Sequence, residues 1–507
     1  MRGGRWARPL LLVLLVFLLG PAAVLARPGG GEGYSGGGDG GGGGGGGGGG
    51  ELIFFLIRIW FELVIRYPAV GIPLTIVIIV VVVRFRSRVK KGAQSWDSAP
   101  PPPPVPPLAA GQARAQDLDA IRQLDPDFSS VLFQDFAYAL YARAHQARAS
   151  RRDLDALAPY LSEAARAQLA QRPPVGVPVT AVVVGAMRVL RLSVPAPGVP
   201  QSRIEVLLDF ESNITLGEAG SERTQYVRER WLLVRAAGAR TKPPEQAKSF
   251  HCPNCGAPFD PAGAAKGNRC EYCGEVVSGG RFDWSAESIE LVRLEERPPA
   301  LTSTVEEVGT GWSTLFHPDL PARRIDLQRD DPAATDEALA ARLRLIYDEL
   351  NAAWTNLDLA PVRPYVSDGL FDYLQYWIDA YRRQGLRNVL EGMRITEITL
   401  VKIVRDRWFD AVTFRVWGAG RDSTVRQATG DVVAGNPRAD RFYSEYWTLI
   451  RGAGVRGAPR TDKSCPNCGA PLNTNMAGQC QHCGAKITSG EFDWVLSKIE
   501  QDDSYTG

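Results

Sequence analysis

RERWLLVR at residues 228–235 returns as SEYWTLIR at residues 444–451, with Trp in the fourth place of each. Both read as the last strand of a sheet, with the Trp in a core position. Upstream, DLDALAPYLS at 153–162 returns as DLAPVRPYVS at 358–367. Apolar residues at helical spacing (Phe128, Leu132, Phe136 and Leu140) predict a first helix within residues 127–171, and a second opens at Asp153 with Leu154, Leu157, Leu161 and Leu169. Strands are expected at 177–194, 203–212 and 228–236. The second copy repeats the order, with helices at 336–359 and 365–383 and strands at 393–404, 410–418 and 444–452. Helices followed by an antiparallel sheet, twice over, make an α+β chain with an internal duplication.

Downstream of each copy stands CPNCGAP, at 252–258 and 465–471. All eight cysteines fall in two sets, Cys252, Cys255, Cys270 and Cys273, then Cys465, Cys468, Cys480 and Cys483. Within each set, two Cys-x-x-Cys pairs are separated by 14 and by 11 residues, which brings four thiolates from two tight turns to one tetrahedral ion. Two structural Zn²⁺ ions are the expectation. Gly256, Gly274, Gly469 and Gly484 follow the second cysteine of each pair and permit the turn. Disulfides are the competing reading and would need an oxidising compartment. His251 and His482 adjoin the sets but read as bystanders, since four sulfurs leave no open position for water or substrate. Each set is followed by Phe-Asp-Trp (282–284 and 492–494), with the Trp 11 residues after the last Cys.

The first 116 residues have a different character. Residues 1–26 have a basic start, an apolar run and a small-residue end, the pattern of a signal peptide. Residues 27–50 are nearly all Gly and read as a disordered tether. Residues 51–66, with Arg58, Glu62 and Arg66 stacked at i,i+4, suit an amphipathic helix at a membrane interface. Residues 67–83 contain no charge and would span roughly 25 Å as a helix. Five cationic residues follow at once within 84–91, so a transmembrane helix over 67–84 leaves everything after it in the cytoplasm. A basic and Pro-rich linker fills 85–116. The remaining divisions are a first α+β domain at 117–245, a first ribbon and exit segment at 250–296, a second domain at 330–456 and a second ribbon and exit at 463–500.

With 58 basic and 56 acidic side chains, the net charge of +2 provides no field for nucleic acid. Between Cys252 and Cys273 the charged residues are Asp260, Lys266, Arg269 and Glu271, net zero, so the ribbon is not a nucleic-acid surface either. No P-loop, GxSxG, HExxH or dinucleotide fingerprint occurs, and the four histidines have no partner at ligand or base spacing. Asp125 and Asp127 read as helix caps, Asp283 and Asp493 as turn residues, and Tyr373, Tyr376, Trp377 and Tyr381 as core.

The helix pattern of residues 124–169 (LDPDFSSVLFQDFAYAL and onward), the closing ERWLLVR and the start with one span resemble the bacterial Tim-forty-four-like proteins, over residues 117–237 and more weakly 336–451. The resemblance implies two tandem nuclear-transport-factor-two-like cones; the four-cysteine zinc ribbon after each, read from the cysteine spacing, is a departure from the mitochondrial relative of that family. With the span and the lack of catalytic motifs, the expectation is a non-enzymatic scaffold at the inner membrane with protein or lipid-headgroup partners, and the resemblance implies an association with protein transport or membrane-protein handling. The alternative is a small molecule or lipid held in the cone cavity. A basic, aromatic ribbon surface would instead favour nucleic acid.

Overall fold

The computed structural model describes residues 118–199, 201–218, 221–247, 249–296, 301, 307 and 309–507. The expected signal peptide, glycine tether, interfacial helix, transmembrane helix and linker lie outside the described residues. Among the described residues no helix is long and apolar enough to cross a membrane.

Ser129 caps α1 (Ser130–Ala147), its hydroxyl accepting from Leu132 N. Thr335 caps α5 (Asp336–Thr355) in the same way through Ala338 N. The second helix expected to open at Asp153 is two pieces, α2 (Arg151–Ala156) and α3 (Glu163–Ala170). The interruption at 157–162 contains Pro159, which offers no N–H to the i−4 ladder. In the second copy α4 (Leu320–Asp330) leads into α5, and α6 (Asp368–Arg383) is the counterpart of α3. Ser162 and Ser367 cap this pair.

The first sheet runs β1 (Val179–Ser193), β2 (Arg203–Leu216), β3 (Arg223–Ala236) and β4 (Ser285–Glu296) in simple antiparallel order. The second repeats it with β5 (Leu386–Arg405), β6 (Phe409–Arg426), β7 (Val432–Gly452) and β8 (Val495–Gln501). The sequence reading stopped each sheet at three strands. In the structure the chain leaves β3, forms the cysteine module, and returns to lay a fourth strand on β3, with Trp231 opposite Ile289 and Trp447 opposite Ile499. The ribbon is therefore an insertion inside the sheet. β4 and β8 escape recognition because charged residues break up their apolar ones and their pairing partners lie tens of residues away.

One constellation recurs at the helix start of both copies. Asp125 is not a cap. Its Oδ2 lies 2.9 Å from Arg235 Nη2 and accepts from Thr241 Oγ1 at 2.7 Å. The Arg235 guanidinium stands 4.8 Å from the Trp284 ring centroid. In the second copy Asp331 Oδ2 lies 2.9 Å from Arg451 Nη1, and that guanidinium stands 4.4 Å from Trp494. Arg235 and Arg451 close the two strand copies, and the two tryptophans end the Phe-Asp-Trp turns. Asp283 and Asp493 are turn residues as expected, each accepting from the N–H of the following Trp at 2.9 and 2.7 Å.

The two copies are packed together rather than strung apart. Leu132 of α1 sits with Phe409, Ala411, Ile450 and Val495 on the second sheet, while Val183 of β1 belongs to the core that contains α5 and α6. Arg407 Nη1 reaches Asp127 Oδ1 at 2.9 Å, so Asp127 too serves packing and not a cap. Trp377 and Tyr381 are fully buried and Tyr376 nearly so, consistent with a core role for this helix face.

Removing the carboxylate of Asp331 would take the close ion-pair partner from Arg451, 1 % exposed, and leave it only Asp410 Oδ2 at 3.8 Å and the Gly457 carbonyl. Asp331→Ala should cost about 3–5 kcal/mol in urea denaturation. The double change Asp331→Leu with Arg451→Met should cost clearly less, because no charge is then stranded.

Candidate metal centres

Each cysteine set is built by two tight turns that share one backbone pattern. Gly256 N donates to Cys252 O at 2.9 Å and Cys252 N to Ala257 O at 2.8 Å. The same pair of bonds closes the turns at Cys270, Cys465 and Cys480. The four glycines take φ of 71–77°, which a residue with a Cβ rarely adopts. Cys252, Cys270, Cys465 and Cys480 are buried, whereas Cys255, Cys468 and Cys483 are exposed and Cys273 is half-buried. The turns bring all four sulfurs of each set within 4.8 Å of one another. The Cys252–Cys273, Cys255–Cys270 and Cys465–Cys483 sulfurs are 3.9 Å apart. Bonded sulfurs stand about 2.05 Å apart, so these are thiol cages and not disulfides.

The middle of CPNC carries a further role that the spacing of cysteines does not reveal. Asn467 Nδ2 donates to Cys483 Sγ at 3.4 Å, across from one turn to the other. Asn254 does the same for Cys273, where its hydrogen bond is the main reason the thiol falls to about 7. Cys483 falls to about 6, first through the backbone N–H of Ala485 and then through Asn467. These donors favour the thiolates that a metal ion requires. The only hint in the sequence is that Asn takes the same place in both copies of CPNCGAP. His251 and His482 are exposed, and neither belongs to a ligand set.

The cages rest on the start of α3 and α6. Tyr160 OH donates to His251 O at 2.8 Å, and Phe250 packs edge-on to the Tyr160 ring at 5.3 Å. In the second copy Lys486 Nζ lies 2.8 Å from Asp368 Oδ2, and Arg363 Nε donates to Met476 O at 2.9 Å. The same loops hold the fourth strands, since Ser162 N donates to Ala286 O at 2.9 Å and Ser367 N to Leu496 O at 2.8 Å. At the exit of the first ribbon, Gly280 (φ +75°) lies so close to β3 that a Cβ would come within 2.4 Å of Val234 O. The cage, the fourth strand and the second helix thus meet at one corner of each copy.

The family model of the Tim44-like domain matches residues 326–460. The chain carries a Tim44-like domain. It takes in α5, α6 and β5 to β7 and stops short of the second cysteine set, which begins at Cys465. The resemblance read from the sequence was stronger in the first copy, yet the match falls on the second. No curated protein matches the chain.

Beyond the cages, the fold joins groups that sequence spacing leaves apart. His145 Nε2 lies 2.9 Å from Glu229 Oε2, 84 residues away, and both side chains are fully buried. The strand Glu-x-Trp pattern of the Tim44-like copy recurs here, since Trp231 Nε1 donates to Glu229 at 3.0 Å and Trp447 Nε1 to Glu445 at 2.9 Å.

Stripping metal from the cages should release the fourth strands first. With a chelator present, amide exchange over Ser285–Glu296 and Val495–Gln501 should rise while the helices α1 and α5 keep their protection. Equal loss everywhere would show that the cages do not hold the strands.

Proposed function

We propose that the protein is a non-enzymatic scaffold anchored in the inner membrane, with its two α+β units folded as nuclear-transport-factor-two-like cones facing the cytoplasm, in protein transport or membrane-protein handling. The Tim44-like match at residues 326–460 carries this reading. Membrane attachment and orientation rest on the apolar run at 67–83 and the five cationic residues after it. Zinc is the proposed metal, one per cage. Zn–S bonds of about 2.3 Å in a tetrahedron place sulfurs about 3.8 Å apart, close to the 3.9 Å seen between paired thiols. When bound, the ion would supply crosslinking and no catalysis, because four protein sulfurs close its coordination. Residues 252–273 and 465–483 are too few to form cores of their own, so each cage takes much of its folding energy from the ion.

Scaffolding here uses one body. The two copies share packing through α1 and α6, so partners meet a fixed arrangement of surfaces rather than two tethered weak sites. Crosslinking from intact membranes followed by purification should recover a defined set of proteins or anionic lipids. Cys465→Ser should lose one of two metal ions per chain and weaken that recovery. Unchanged recovery would remove the second ribbon from the scaffold, and a metal-free wild-type chain would remove both.

A second reading, ligand binding, is favoured by a cavity of about 390 Å³ between the copies, lined by Tyr138, Ala142 and Val184 on one side and Leu370, Tyr373 and Lys498 on the other. Volumes of this order hold small molecules. Native mass spectrometry of the purified chain should then show a bound small molecule that Ala142→Trp displaces, and a clean apo mass would end the reading.

A further inference from the structure

The two copies differ sharply at one place in their cores. Counted from the caps Ser129 and Thr335, Tyr141 corresponds to Tyr347, and both are buried and hydrogen-bonded to the sheet, at 2.7 Å to Ser212 and 2.6 Å to Tyr443. In that register Arg148 stands where the second copy has Trp354. Counted from the caps Ser162 and Ser367, Arg172 stands where it has Trp377. Trp354 and Trp377 are fully buried core residues. The first copy buries two guanidinium groups instead, with Arg148 4 % and Arg172 8 % exposed.

One carboxylate faces them. Glu229 Oε1 lies 2.6 Å from Arg172 Nη2, while its Oε2 is already taken by His145 and Trp231. Burial opposes its ionisation, but His145, Arg172 and the Trp231 indole together draw its pKa to about 2. Burial also pushes the His145 pKa down, against the pull of Glu229. Two buried guanidinium groups thus share the one carboxylate of Glu229. Arg148 lies within electrostatic reach of Glu229, Arg172 and Tyr141, yet none of its three nitrogens has a hydrogen-bond partner among the described residues. Arg148 is the C-cap of α1 and Arg172 follows the C-cap of α3. Helix-end partial charges of about half a unit ease such burial without providing acceptors for five N–H donors. A buried guanidinium with no acceptor is costly, and an added anion would relieve that cost.

The geometry points to an oxyanion site at Arg148 and Arg172 of the first copy, which takes a phosphate group. Two guanidinium forks can grip two edges of a tetrahedral oxyanion, whereas a planar carboxylate offers one. The helix beside the site is also shorter in the first copy, since α3 ends at Ala170 whereas α6 continues to Arg383.

The test is calorimetric titration of the full chain in nanodiscs with inorganic phosphate at constant ionic strength. Wild type should bind, and Arg148→Gln should bind roughly tenfold or more weakly, the loss of about one charge-assisted hydrogen bond. Without phosphate, Arg148→Gln should melt no lower than wild type, because it deletes an unpaired buried charge. Arg387→Gln, at an exposed arginine, should behave as wild type. Arg148→Lys keeps the charge, loses the fork and should also weaken binding, which keeps the test open if Arg148→Gln does not fold. Discs of phosphatidylcholine with and without phosphatidylglycerol separate the sources. A phosphate isotherm abolished only in phosphatidylglycerol discs assigns the group to a lipid headgroup, and one indifferent to the lipid assigns it to free phosphate. No binding to wild type in lipid-neutral discs would leave helix-end charges only and overturn the site. Equal binding by wild type and both Arg148 variants would overturn it as well.

Discussion

A buried guanidinium held between a carboxylate and an indole is the constraint on which each half of this protein depends. Arg235 binds Asp125 and stacks on Trp284, and Arg451 binds Asp331 and stacks on Trp494. The three residues come from the segment before the first helix, the end of the third strand and the exit of the cysteine module. Their meeting fixes where the helix starts relative to the sheet, and where the chain re-enters the sheet after the ribbon. A charge this deeply buried tolerates no loose geometry, because losing its partner costs more than the pair gains over apolar substitutes.

The cysteine cages act on the same corner from the other side. Each closes the excursion between the third and fourth strands, and the loop before α3 or α6 binds both the cage and the first residues of β4 or β8. A metal ion would therefore brace a strand of the sheet. Asn254 and Asn467 fit this role, each donating from one turn to a thiolate of the other.

Duplication has not made two equal halves. The second copy, which carries the Tim44-like match, fills its core with Trp354, Trp377 and Tyr381. At the places of both tryptophans the first copy has arginines around Glu229. An aromatic core is stable with nothing added. A core with surplus positive charge gains from an anion. The packing of α1 on the second sheet joins these two halves into one surface.

The duplicated order of helices, strands and cysteines was legible because it is local. Apolar residues at helical spacing and Cys-x-x-Cys pairs each act within a few residues, and the repetition of CPNCGAP and of the Trp-bearing strand fixed their correspondence. The chemistry of four thiols was equally local, and the structure gathers the eight cysteines into two cages as their spacing implied. Tertiary structure alone decided the rest. Asp125 looked like a cap because caps are the local use of a carboxylate at a helix start, but its partner Arg235 lies 110 residues away. β4 and β8 intersperse charged and apolar residues without a long apolar run, and only pairing to β3 and β7 makes them strands. Nothing in the sequence singles out Arg148, and only the packing of the helices over the sheet buries it, since burial is a property of the whole fold and not of any segment.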